Sequence, residues 1–148
     1  MLYGFIMESY DDYPFAMWFD EKPGKGEIDR IFYNKINGMH SGLLADFVAE
    51  DSGRIVGECE TAKTYGDWGI VGIIVRKEYK KRGIGKRLLD ESITAAKQIG
   101  IGRLGAEVMK TNVEALNFFM INGFKPVKSN TIEKSGKKHE SVFLERDT

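Results

Sequence analysis

The chain has 148 residues, 42% hydrophobic and 30% charged, which suits one domain around one core and excludes a disordered or membrane-embedded chain. Its 22 basic and 22 acidic residues cancel, against the global basicity of a nucleic-acid binder, and its longest apolar run, Ile70–Val75, is far too short to span a membrane. One cysteine, Cys59, leaves no internal disulfide and fits a reducing cytoplasm, and the first residues lack the basic flank and cleavage site of a secretory signal.

Residues 1–42 carry the weakest pattern. Apolar residues at 28, 31, 32 and 36 predict a helix over Glu27–Ile36, with Gly24 and Gly26 before it and Gly38 as its stop. Leu43–Ala49 and Arg54–Thr61 read as a hairpin around Asp51-Ser52-Gly53. Trp68–Val75 is almost entirely apolar, as in a central strand covered on both faces. After Gly83, apolar residues at 84, 88, 89, 93, 96 and 99 predict a helix that Gly100 ends. Leu104–Met109 is the next strand, and Asn112 caps a helix running to Ile121 with Gly123 beyond it. Phe124–Lys128 and Ser141–Arg146 form a last strand pair, linked by a polar loop around Ser135-Gly136-Lys137. This order predicts a single mixed α/β (α+β) domain over 1–148.

One segment carries the chemistry. Arg76 to Arg87 holds seven basic side chains against one acid, Glu78, with glycines at 83 and 85 just where a helix opens. A charge run is by itself a solvated face. Glycines at a strand-to-helix turn let a ligand approach the backbone, and the first helical amides lack acceptors and carry the positive end of the dipole. Together these make an anion cradle, with Lys80, Lys81, Arg82, Lys86 and Arg87 adding charge. A P-loop would need glycine at Lys80 and Ser or Thr at Arg87, and a dinucleotide fingerprint would need glycine at Leu88. The literal G-x-G-x-x-G at Gly100–Gly105 lies after a helix and before a strand, the reverse of the required order.

The stretch Val75–Leu89, with Lys80-Lys81-Arg82-Gly83-Ile84-Gly85 at its centre, resembles the coenzyme A loop Q/R-x-x-G-x-G/A of the GNAT superfamily of N-acetyltransferases, Lys80 standing at the Gln/Arg position. Asn112–Phe124 is similar to that family's N-x-x-A-I-x-F-Y-x-x-x-G-F. The resemblance covers roughly residues 43–128, with the coenzyme A core at about 54–124. It implies a central, mostly antiparallel sheet flanked by helices and splayed at the strand before the loop. It further implies acetyl transfer from acetyl-CoA directly to a primary amine of a small molecule, peptide or protein. Ile73 and Val75 would then offer backbone groups to pantetheine, while also serving as core. Lys80 and the amides of Lys81, Arg82, Gly83, Ile84, Gly85 and Lys86 would hold the pyrophosphate. Asn112 reads as a helix cap, alone or with a contact to the cofactor arm. Phe119 falls where the family often has a proton-donating tyrosine, and a phenyl ring has no proton to give.

The acid and base stay open. Tyr79, Tyr65 or water could protonate the leaving thiolate. Some relatives place a glutamate where this chain has Gly69; Asp67 shares its parity, and Glu58 and Glu60 lie on the neighbouring strand. Each of these acids also reads as a solvated strand-end carboxylate. The aromatic and acidic segment Tyr10–Glu21 could recognise a cationic amine, or simply tuck its rings onto the core. His40, His139 and Cys59 are too scattered for a metal site or a nucleophilic pair. The expected partners are acetyl-CoA and an amine acceptor, with no nucleic acid and no membrane; a homodimer is left open. The competing class is a non-catalytic acyl-CoA-binding sensor on the same fold.

Overall fold

A computed structural model describes residues 2–13 and 21–148. The elements are α1 (Leu2–Asp12), α2 (Lys25–His40), β1 (Leu44–Asp51), β2 (Arg54–Lys63), β3 (Trp68–Val75), α3 (Ile84–Gln98), β4 (Arg103–Met109), α4 (Val113–Ile121), β5 (Lys125–Lys134) and β6 (Lys137–Asp147). They build one six-stranded sheet in the order β1-β2-β3-β4-β6-β5, antiparallel at every pair except β3–β4. This is the expected α+β sheet flanked by helices.

Two clusters hold the layers together. On one face, Leu88, Leu89, Ile93 and Ala96 of α3 and Phe119 of α4 pack with Cys59, Val71, Leu104, Ala106, Val108 and Leu144. On the other, Phe5 and Ile6 of α1 and Ile28 of α2 pack on Ile55, with Phe32 and Ile74 at the margin. No helix among the described residues is long and apolar enough to cross a membrane.

Four boundaries differ from expectation. Helix α1 is an addition: it has no acidic residue in its first turn and no basic one in its last, and it is held by burial of Phe5 and Ile6. Helix α2 runs through Gly38 to His40, since one helical glycine costs only about 1 kcal/mol. The gap at Gly38 also admits Leu44, whose Cβ would lie 3.0 Å from an added Cβ. Strands β5 and β6 extend into the supposed polar loop, closing through a tight turn at Ser135 and Gly136, both with positive φ. Their outer residues alternate too weakly in polarity to read as strands.

The sheet is divided in its middle. β3 pairs with β2 from Gly69 to Val75, and β4 with β6 throughout, yet β3 and β4 meet only over Trp68–Ile70 and Arg103–Gly105. Two glycines sit at this closed end. A Cβ on Gly105 would lie 2.3 Å from the Phe143 ring, and one on Gly69 would lie 2.7 Å from Ile101. Beyond Gly105 the strands diverge into a V.

Candidate active site

The V exposes backbone of a known direction. Arg76 N–H donates to Val56 O and Thr64 N–H to Trp68 O, both at 2.9 Å. Antiparallel rungs alternate, so Gly72 and Ile74 turn their backbone groups to β2, while Val71, Ile73 and Val75 turn theirs into the opening. On the far side, Lys110 N–H donates to Glu140 O at 2.9 Å. By the same alternation, Glu107 and Met109 direct their backbone groups into the V.

The basic loop stands at its mouth. Lys81 has φ 59° and Gly83 φ 79°, the left-handed turns that swing the chain from β3 into α3. No side chain caps α3, and its first intrahelical bond is Arg87 N–H to Gly83 O, so the amides of Ile84, Gly85 and Lys86 precede the ladder. Lys81 and Arg82 are exposed beside them, and Lys86 pairs with Asp90. Lys80 Nζ reaches across to Glu114 Oε2 of α4 at 2.6 Å and lies 4.6 Å from the Tyr13 ring centroid. Burial works against the Lys80 ammonium, but the Glu114 carboxylate and the Tyr13 hydroxyl hold its pKa above the ordinary lysine value. Gly85 has no Cβ where the Phe118 ring would stand 3.3 Å away, so Phe118 closes α4 onto α3. Asn112 caps α4, its Oδ1 accepting from Ala115 N–H at 3.2 Å.

The remaining predicted residues are dispersed. Phe119 is buried, its ring 4.9 Å from Phe124 and 5.5 Å from Phe118. Tyr79 donates to Asp51 Oδ2 at 2.8 Å, and this bond raises its phenol pKa. Asp51 ends the edge strand β1, so the Tyr79 hydroxyl points away from the V. Tyr65 is 81% exposed in the β2–β3 turn. Asp67 lies at the closed end, its main-chain oxygen accepting from Gly102 and Arg103. Gly69 has no room for a side chain, so the glutamate of some relatives could not stand there. Residues 14–20 of the aromatic and acidic segment lie outside the described residues.

Glu58 is on the α2 face of β2, separated from the opening by β3 alone. It binds Lys35, which also reaches Asp46 at 2.9 Å and Glu60 at 2.8 Å. Burial pushes the Glu58 carboxyl up to about 7, Lys35 opposing and Asp46 adding to the rise. Burial works against the Lys35 ammonium as well, but its three carboxylates hold it above the usual lysine range. Burial likewise pushes the Cys59 thiol up to about 12, which keeps it from acting as a nucleophile at neutral pH. Among the described residues no cluster could hold a metal.

Two groups at the V had no catalytic role in the sequence reading, although one of them, Tyr13, belongs to the Tyr10–Glu21 segment. Glu107 follows the last β3–β4 rung by two residues, and its side chain lies on the α1/α2 face. That face is fixed because Gly105, of the same parity, abuts Phe143 and Ile70. Glu107 Oε1 accepts from Ser141 Oγ at 2.7 Å and Asn130 Nδ2 at 3.0 Å. The second is Tyr13, whose hydroxyl donates to Val75 O at 3.2 Å. Strand parity could have marked Glu107 as lining the same side as Ile70; no local signal marks Tyr13.

A sheet split to bare one strand edge, with a basic loop and an uncapped helix at its mouth, defines a site for an extended, phosphate-bearing cofactor. Residues 4–124 match the Acetyltransferase (GNAT) family, and the chain belongs to that family as an acetyl-CoA-dependent acetyltransferase. The fold is similar to that of solved structures. A ribosomal-protein-alanine N-acetyltransferase from Brucella melitensis superposes with TM-score 0.81 at 19% identity, over 98% of this chain and 93% of that one. An N-acetyltransferase from Staphylococcus aureus Mu50 gives 0.82 at 21%, over 96% and 90%. The yncA protein of Salmonella typhimurium, with its cofactor acetyl-CoA, gives 0.79 at 17%, over 97% and 87%. No curated protein matches the chain.

Proposed function

We propose that the chain acetylates a primary amine of a small molecule, peptide or protein, which reaches the V from the α1/α2 face. The observation that carries this reading is the ladder ending at Ile70 and Gly105, which leaves the edge of Ile73 and Val75 without a neighbouring strand beside the basic loop. Acetyl-CoA supplies the activated acyl group. The amides from Lys81 to Lys86, with Lys80, hold its pyrophosphate; Ile73 and Val75 align its arm and direct backbone donors at the thioester carbonyl. Asn112 and Phe119 hold α4 against the other wall. Rate enhancement comes mainly from keeping thioester and amine in near-attack geometry.

An alkylammonium must lose a proton first, at about 4–5 kcal/mol at pH 7. Glu107 borders the open part of the V on the acceptor side. Ser141 and Asn130 both bind its Oε1, an arrangement that orients Oε2 for the amine. Glu58, engaged by Lys35, adds negative field on the same face, whereas Asp67 and Tyr79 are turned elsewhere. Turnover of labelled acetyl-CoA over polyamines, aminoglycosides, amino acids and peptides identifies the acceptor. Glu107→Gln should then lower kcat/KM about 100-fold or more while calorimetric CoA affinity stays within threefold. Undiminished turnover would remove Glu107 from the mechanism. CoA binding without turnover of any amine would make the chain an acyl-CoA-binding module.

A further inference from the structure

Direct transfer leaves a thiolate that needs a proton, and Phe119 has none to give. The described tyrosines narrow the alternatives. Tyr79 is held by Asp51, Tyr65 is exposed at the closed end, Tyr3 and Tyr33 are exposed on α1 and α2, and Tyr10, half-buried on α1, makes no hydrogen bond to the described residues of β3. Tyr13 differs: it follows α1, donates to Val75 O at 3.2 Å, and so holds a phenol hydroxyl on the bare edge of β3. Two ammonium groups lie near its ring, Lys80 at 4.6 Å and Lys77 at 5.4 Å from the centroid. Lys80 is shared with Glu114, and Lys77 with Asp12 at 3.4 Å.

We infer that Tyr13 is the proton donor to the leaving thiolate, supplying from the end of α1 the hydroxyl that α4 lacks at Phe119. The inference rests on the V being the acetyl-CoA site. Once the amine has added, the C–S bond breaks and sulfur keeps the electron pair. The Tyr13 Oη–H bond breaks as its proton passes to sulfur, releasing CoA as the thiol. The phenolate is stabilised by the Lys80 and Lys77 ammonium groups and regains a proton from water. At rest, Val75 O accepts the same hydrogen bond and keeps the hydroxyl aimed along the edge.

The test needs no acceptor. CoA itself is bound to the full chain and to Tyr13→Phe, binding is verified by calorimetry, and the bound thiol is titrated by its thiolate absorbance. A hydroxyl that donates to sulfur favours the thiolate. The bound thiol should therefore ionise about one pH unit lower in the parent than in the variant, a tenfold change in its ionisation constant. Coincident titrations would overturn the assignment. Loss of CoA binding in the variant alone would also overturn it, making Tyr13 a binding group. CoA that binds neither protein would instead overturn the reading of the V as the cofactor site.

Discussion

Gly83 and Gly85 serve the loop for different reasons. A Cβ on Gly83 would meet nothing within 4 Å, so its requirement is conformational: φ is 79°, where an L-residue is strained by roughly 1–2 kcal/mol. Gly85 is sterically required, because Phe118 fills the space of its side chain. Gly83→Asp should therefore leave the fold intact, since negative charge at a helix N-terminus is favourable. The same charge would compete with the phosphate for the α3 amides. CoA affinity measured by calorimetry should fall at least tenfold; an unchanged affinity would show that the loop does not hold the pyrophosphate.

At the scale of elements, α2 is fastened to the sheet by a charge cluster rather than by apolar contact alone. Lys35 is surrounded by Asp46, Glu58 and Glu60, and Asp46 Oδ1 has no hydrogen-bond partner among the described residues. Negative charge is in excess. The folded Glu58 carboxyl titrates near 7, above its unfolded value, so the native state binds the proton more tightly. Its contribution to stability is therefore fully present below about pH 4.5 and is lost as pH rises through 7. The loss is at most about 3 kcal/mol, at 1.36 kcal/mol per pH unit. Urea unfolding from pH 5 to 8 should show a decline over this window in the parent chain and a flatter profile in Glu58→Gln.

The whole molecule is two half-sheets joined by three β3–β4 rungs and by the chain crossover through α3, with the V between them. A ligand that bridges the opening binds only the folded state and stabilises it by mass action. At 100 times Kd this amounts to about 2.7 kcal/mol, or roughly 5–10 °C in Tm for a chain of this size. Calorimetric melting with and without CoA tests it, and a Tm unmoved by saturating CoA would contradict a site that spans both halves.

Legibility followed the range of the forces involved. Trp68–Val75 and the helix from Ile84 carry strong local periodicity, and the basic loop announces its anion chemistry through residue type alone. These, with the Asn112 cap, were determined by the sequence because neighbours along the chain supply the interactions. Helix α1 and the end of the β3–β4 ladder depend on partners far along the chain, so no local pattern encodes them, while the long β5–β6 hairpin pairs neighbouring segments whose polar outer residues do not announce a strand. The same holds for the chemistry. Glu58, Asp67 and Tyr79 were plausible by position on a strand or loop, but Lys35, the closed end of the V and Asp51 decide where they point. Only the packed structure brings Glu107 of β4 and Tyr13 after α1 to the opening whose mouth the Lys80–Gly85 loop marks, because sheet pairing and helix packing act between residues about 35 to 62 positions apart.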